Sequence, residues 1–141
     1  MSCLENITAL VVEPDLAVAE VLAFMLESEG ATVRITHTLE AGIAAFTQSR
    51  PSLLICNLKL PDGDGYALLY HCQRLGELAD DPIPAIAIAD SPWKLDRQRA
   101  LSAGFHQYLF EPTEYSALMS AINDVLEKKT WKRYSSYKIP S

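Results

Sequence analysis

Four short stretches of this 141-residue chain carry side chains that could do chemistry. Glu13-Pro14-Asp15 brings two carboxylates close together. Asn57-Leu58-Lys59 joins an amide to an amine, Ala89-Asp90-Ser91 sets an acid beside a hydroxyl, and Glu111-Pro112 adds another acid. Converging carboxylates suit hard divalent cations such as magnesium, which takes one or two of them together with phosphate. A carboxylate can also accept a group covalently. Asn57 stands apart in this set. Its amide offers one neutral oxygen and two N–H donors, and it is no nucleophile.

Each stretch follows an apolar segment of strand length. The first strand is read over Ile7–Val12, the second over Ala31–Thr36, the third over Ser52–Asn57, the fourth over Pro84–Ala89 and the fifth over Phe105–Phe110. Helical periodicity fills the intervals. It runs over Asp15–Glu29, with Asp15 placed to cap and Gly30 to terminate, then over Leu39–Ser49 and Asp64–Leu78. A fourth helix is expected to open at Ser91-Pro92 and stop at Gly104. The last is amphipathic over Thr113–Lys129. Five strands alternating with five helices predict an α/β fold, a parallel sheet covered on both faces. Sites in such sheets lie beyond the carboxyl ends of the strands, where all four stretches fall. Periodicity leaves the strand order open.

The run Pro51–Gly65 is an apolar strand followed by the loop Pro61-Asp-Gly-Asp-Gly65. With the order of elements, Ala103-Gly104 before the fifth strand and a residue–proline pair after it, the chain resembles a CheY-like response regulator receiver domain over about residues 5–128. The resemblance implies a flavodoxin-like (βα)5 fold with strand order 2-1-3-4-5. It divides the chain into a receiver-like domain, residues 1–128, and a basic, aromatic-containing tail, residues 129–141. It also implies a cytoplasmic, bacterial, two-component setting.

Carried over position by position, the resemblance exposes losses. Of the two acids that hold magnesium in the family, the first is Glu13, but Pro14 takes the second place and Asp15 follows one residue late. The phosphoacceptor position is Asn57. Ala89 stands where the family has a threonine or serine, and Glu111 where it has a lysine. Tyr108 keeps the aromatic of the fifth strand that reorients in the family's switch. The losses agree with one another. A lysine facing an amide would lack its counter-charge, and Glu111 would repel an incoming phosphoryl group. The resemblance therefore implies a degenerate pocket, a pseudo-receiver with no catalytic residue, no metal and no cofactor, similar to those of bacterial regulatory proteins that include some of the circadian clock system.

Plainer uses compete for each of these residues. Asp15 is expected to cap the first helix and Glu13 to be a loop acid. Asn57 is expected to bond loop backbone. Lys59 either stays in solvent or swings toward Glu13 or Glu111. Trp93, near the start of the fourth helix, lies on the family's output side with Tyr108 and Tyr115, and aromatic area there suits an interface. Trp131 and Tyr134, beside Lys132 and Arg133, dock on the body or a partner, or stay disordered. Cys3, Cys56 and Cys72 show no metal spacing and are read as packing residues. His37, His71 and His106 are given no role.

Residues 1–126 carry 7 Lys/Arg against 17 Asp/Glu, and residues 127–141 carry 5 against 1. So acidic a body argues against binding nucleic acid unaided. No apolar run approaches the length of about 18 residues that a membrane span needs. The N-terminus lacks the pattern of a signal peptide. The expected function is a binding module that signals by protein–protein contact without phosphorylation. Its partner is a sensor kinase-like protein, another regulator or a second copy, held by the helix 4–strand 5–helix 5 face. The alternative is a working phosphorelay receiver that uses Asp15, Asp62 or Asp64 as acceptor. A flavodoxin-like cofactor protein is disfavoured, because acids stand where a phosphate would sit.

Overall fold

The structure, a computed structural model, describes residues 3–138, with side chains as far as Glu127. The elements run β1 (Thr8–Val12), α1 (Leu16–Ser28), β2 (Thr32–Thr36), α2 (Leu39–Gln48) and β3 (Leu53–Asn57). A short pair follows, β4 (Lys59–Leu60) and β5 (Gly63–Asp64). Then come α3 (Gly65–Ala79), β6 (Ala85–Ala89), α4 (Lys94–Ala103), β7 (Gln107–Phe110) and α5 (Tyr115–Lys138).

The main sheet has the order β2-β1-β3-β6-β7, all parallel, which is 2-1-3-4-5 when its own strands are counted. The fold is thus the expected flavodoxin-like (βα)5. The β4–β5 hairpin, Lys59 opposite Asp64, was not foreseen; two-residue strands leave no periodicity to read.

Pleating divides the core in two. Leu10, Val12, Leu54, Cys56 and Ala87 face α2, α3 and α4, against Phe46, Leu68 and Ala100. Ala9, Val11, Ile55, Ile86 and Ile88 face α1 and α5, against Leu22, Leu26, Leu118 and Ile122. Side chains alternate along a strand, so each strand serves both layers. All five residues of β6 are buried, as a strand covered on both faces requires.

Local signals place the helix starts. Asp15 Oδ1 accepts from the backbone N–H groups of Ala17 and Val18 at 2.9 and 3.2 Å. Asp64 Oδ1 accepts from Ala67 N–H at 2.9 Å, and Thr38 Oγ1 from Ala41 N–H at 3.0 Å. Each oxygen satisfies donors that a first helical turn leaves free.

Three expectations change. The fourth helix begins at Lys94, past the expected opening at Ser91-Pro92, and Trp93, in extended backbone, sits at the cap position without a side-chain cap. The apolar face read for α1 is broader than the face it buries. Ala19, Leu22, Ala23 and Leu26 are inside, while Leu16, Val21 and Phe24 are exposed. Finally, α5 runs unbroken through Lys138, past the expected end at Lys129. The side chains of Trp131, Lys132, Arg133 and Tyr134 lie outside the described residues.

Candidate functional site

Parallel register brings the strand ends level. Val12 pairs with Cys56, Asn57 with Ile88 and Ala89 with Phe110. The residues one step further on, Glu13, Asn57 and Glu111, therefore meet over the middle of the sheet.

Among the described residues, Glu13 is the buried charged one, 2% exposed. Its Oε2 accepts from Asp15 N–H at 2.8 Å and its Oε1 from Asn57 Nδ2 at 2.9 Å. The same Nδ2 reaches Glu111 Oε1 at 3.4 Å. Asn57 Oδ1 turns the other way and accepts from Lys59 N–H at 2.9 Å. The amide thus presents its donors to two carboxylates and its oxygen to the loop backbone. Reversing it would set an oxygen against the carboxyl oxygens of Glu13 and Glu111. Gly65 closes the floor, because a Cβ there would lie 2.8 Å from the Asn57 carbonyl oxygen.

Glu111 holds its proton up to about 7. Burial is the largest cause, followed by its hydrogen bond to Glu13 and the negative charges of Glu13, Asp90 and Asp15. Glu13 and Glu111 thus lie on either side of one amide.

This donor set does not fit magnesium. Both oxygens of Glu13 already accept backbone or amide protons, and Pro14 supplies no side-chain oxygen. Asn57 points N–H groups into the space a cation would need.

The remaining predicted residues fall into place around the cluster. Lys59 does not swing toward Glu13 or Glu111. Its Nζ lies 3.7 Å from Asp90 Oδ1, with both side chains largely in solvent. Ala89 is buried and small, and its carbonyl accepts from Glu111 N–H at 2.9 Å. The Glu111–Pro112 bond is cis. His37, given no role from sequence, donates from Nδ1 to the Glu13 carbonyl at 2.8 Å. Its place one residue past β2 was the available signal.

The three acids offered as substitute acceptors all serve as helix caps. Asp15 caps α1 and Asp64 caps α3. Asp62 accepts from the N–H groups of Leu39 and Glu40 at 2.7 and 3.0 Å, at the start of α2. Those bonds, Glu40's first, hold its carboxyl below the usual range.

The aromatic set divides. Tyr108 is buried, and its hydroxyl donates to the Ser91 carbonyl at 2.7 Å, while Ser91 Oγ bonds Asp96. Trp93 is 71% exposed on the α4 side. Tyr115 is a correction. Its hydroxyl bonds Glu29 at the end of α1, so it belongs to the α1 side of α5 and not to the α4–β7 face. Leu95 on α4 and Phe110 at the end of β7, both exposed, were missed. A lone exposed apolar residue carries no sequence signature.

Residues 9–123 match the response regulator receiver domain family. An uncharacterized 14.6 kDa protein in the sodA1 3' region of Leptolyngbya boryana is 32% identical over 114 residues, covering 81% of this chain and 86% of the relative. The KDP operon transcriptional regulatory protein KdpE of Escherichia coli strain K12 is 29% identical over 119 residues, 84% of this chain. The chain spans about half of that regulator, 51% of its length. A putative response regulator from Chloroflexus aurantiacus J-10-fl superposes with a TM-score of 0.76 at 28% identity, covering 86% of this chain and 98% of that one. The receiver domain of Saccharomyces cerevisiae Ssk1, solved with the histidine phosphotransfer protein Ypd1, superposes with a TM-score of 0.74 over 80% of this chain and 83% of that one. At 19% identity it speaks for the fold alone. Sheet order, site position and the match over residues 9–123 agree: the chain belongs to the response regulator receiver domain family of two-component signalling.

Proposed function

We propose that this receiver domain is a pseudo-receiver, a protein-binding module that works without phosphorylation. The observation that carries the reading is the Asn57 amide, held between Glu13 and Glu111 with its donors on both. A receiver's chemistry needs a carboxylate nucleophile, a cation and a positive group facing the phosphate. Here an amide, a buried carboxylate and a second acid fill those places, and a phosphoryl group approaching them meets negative charge. The capping duties of Asp15, Asp62 and Asp64 weigh against the phosphorelay alternative, because a phosphoryl group on any of them would displace bonds to a helix start.

The partner is a protein, a kinase-like regulator or a second copy. It binds the face formed by α4, β7 and α5, where Trp93, Leu95 and Phe110 expose apolar area. The inward Tyr108, tied to Ser91, holds that face in one arrangement. Incubation with magnesium and acetyl phosphate, followed by intact mass, tests the reading. No mass gain is expected. A gain of one phosphoryl group, lost in mild base, refutes it.

A further inference from the structure

We propose that Glu13, Asn57 and Glu111 form a proton-linked latch that sets the position of the β7–α5 loop against α1. The proposal rests on the non-phosphorylating reading of the same site and gives it a regulator.

The two carboxyls are unequal. Glu13 is buried and fixed by two donors, the Asp15 N–H and the Asn57 amide. Glu111 is half-buried at the start of a loop, and the amide reaches it only at 3.4 Å. Glu111 is therefore the member that can move.

The groups facing it are mostly negative. Glu13 comes from the end of β1, Asp15 from the cap of α1 and Asp90 from the loop after β6. The cation nearby, Lys59 from the loop after β3, is turned to Asp90. His37, after β2, meets the Glu13 backbone and not its carboxyl. With a proton on Glu111, the Asn57 amide lies between Glu13 and a neutral carboxyl. When the Glu111 O–H bond breaks and the proton passes to water, two carboxylates are left facing one another across a single neutral amide. Repulsion then favours outward rotation of Glu111 into solvent.

The movement has somewhere to register. Glu111, Pro112 and Thr113 form one wall of a groove of about 220 Å³, and Val18, Val21 and Met25 of α1 form the other. Thr113 Oγ1 is buried in the latched arrangement without a hydrogen-bond partner. Such a hydroxyl gains by moving to where it can be satisfied. The ratio of ionised to protonated Glu111 rises about tenfold per pH unit, so a latch poised near neutrality responds over a narrow range.

The test is a carbon-detected NMR titration of the Glu111 carboxyl in the full chain, read alongside the methyl signals of Val18, Val21 and Met25. The carboxyl is expected to titrate near neutrality, with the methyl signals moving at the same midpoint. In Glu111→Gln the methyl titration disappears, while the circular dichroism spectrum is kept. A Glu111 carboxyl that titrates in the ordinary carboxylate range overturns the latch. So do methyl signals that ignore it, or that still titrate in Glu111→Gln. Should that variant fail to fold, the wild-type titration decides alone. Intact mass after acetyl phosphate reports separately on the non-phosphorylating reading, so failure of one is not mistaken for failure of the other.

Discussion

Asn57→Asp is the informative perturbation, because it restores the family's acceptor while removing the amide that separates two acids. In the wild type, Nδ2 lies 2.9 Å from Glu13 Oε1 and 3.4 Å from Glu111 Oε1. The substitution replaces that donor with an oxygen. Two unit charges about 3 Å apart repel by roughly 5 kcal/mol at an effective dielectric of about 20. Protonation limits the cost, since a carboxyl forced to hold its proton two units longer loses about 2.7 kcal/mol. The variant should be less stable than wild type by about 3 kcal/mol near pH 8, and by about 1 kcal/mol near pH 5.5, where the cluster carries more protons. Asn57→Ala, which removes the donor without adding charge, should cost about 1–2 kcal/mol with a weaker pH dependence. Millimolar magnesium should return part of the stability to Asn57→Asp and none to the wild type, because only the variant gathers three carboxylates. Urea unfolding followed by circular dichroism reads all of this. Equal stability of wild type and Asn57→Asp near pH 8 without magnesium would refute the electrostatic account of the site.

Three further outcomes are expected. Because Glu111 is raised to about 7 from its ordinary carboxylate value, its contribution to stability is greatest below that ordinary value and is lost as pH rises through about 7; screening at this half-exposed site reduces the loss to about 1–2 kcal/mol, and Glu111→Gln should flatten the profile between about pH 5 and 8 in urea midpoints. Asn57→Asp alone should take phosphate from acetyl phosphate far more slowly than the same change combined with Pro14→Asp, Ala89→Thr and Glu111→Lys, and equal rates by intact mass would show that the supporting residues are overrated. Trp93→Ala should weaken association by about 1–3 kcal/mol in sedimentation or pull-down, and an unchanged affinity would move the interface off the α4–β7 side.

The central strands were legible in sequence because their residues are committed to burial on both faces, as in Ala85–Ala89, while the edge strand Thr32–Thr36 was legible only by its alternation. Asp15 was legible as a cap because the donors it meets are two and three residues away. The sequence brought Glu13, Asn57 and Glu111 to the same end of the sheet, but not their hydrogen bonding. Asn57 was expected to bond loop backbone, and its oxygen does. Its donors meet carboxylates 44 and 54 residues away in sequence, a matter of strand register that no local pattern carries. Tyr115 was assigned to the wrong side because one helix position leaves its direction open until Glu29 is seen to hold it. The exposure of Val21 and Phe24 escaped for a related reason: an apolar period shows that a face is apolar, not that anything covers it.

The composition of β6 bears on how the molecule comes apart. Its alanines lie under α3 and α4, its isoleucines under α1 and α5, and every residue of it is buried. Its amide protons should therefore exchange with deuterium only when the whole domain opens, reporting the global unfolding free energy. The loops at the strand ends, where Glu111 and Asn57 sit, should exchange through smaller, local openings. The two rates, measured in one experiment across pH, separate motion at the rim from loss of the fold. Pronounced acceleration at Glu111–Thr113 with β6 unchanged would mean that the strand ends shift upon a sheet that stays put.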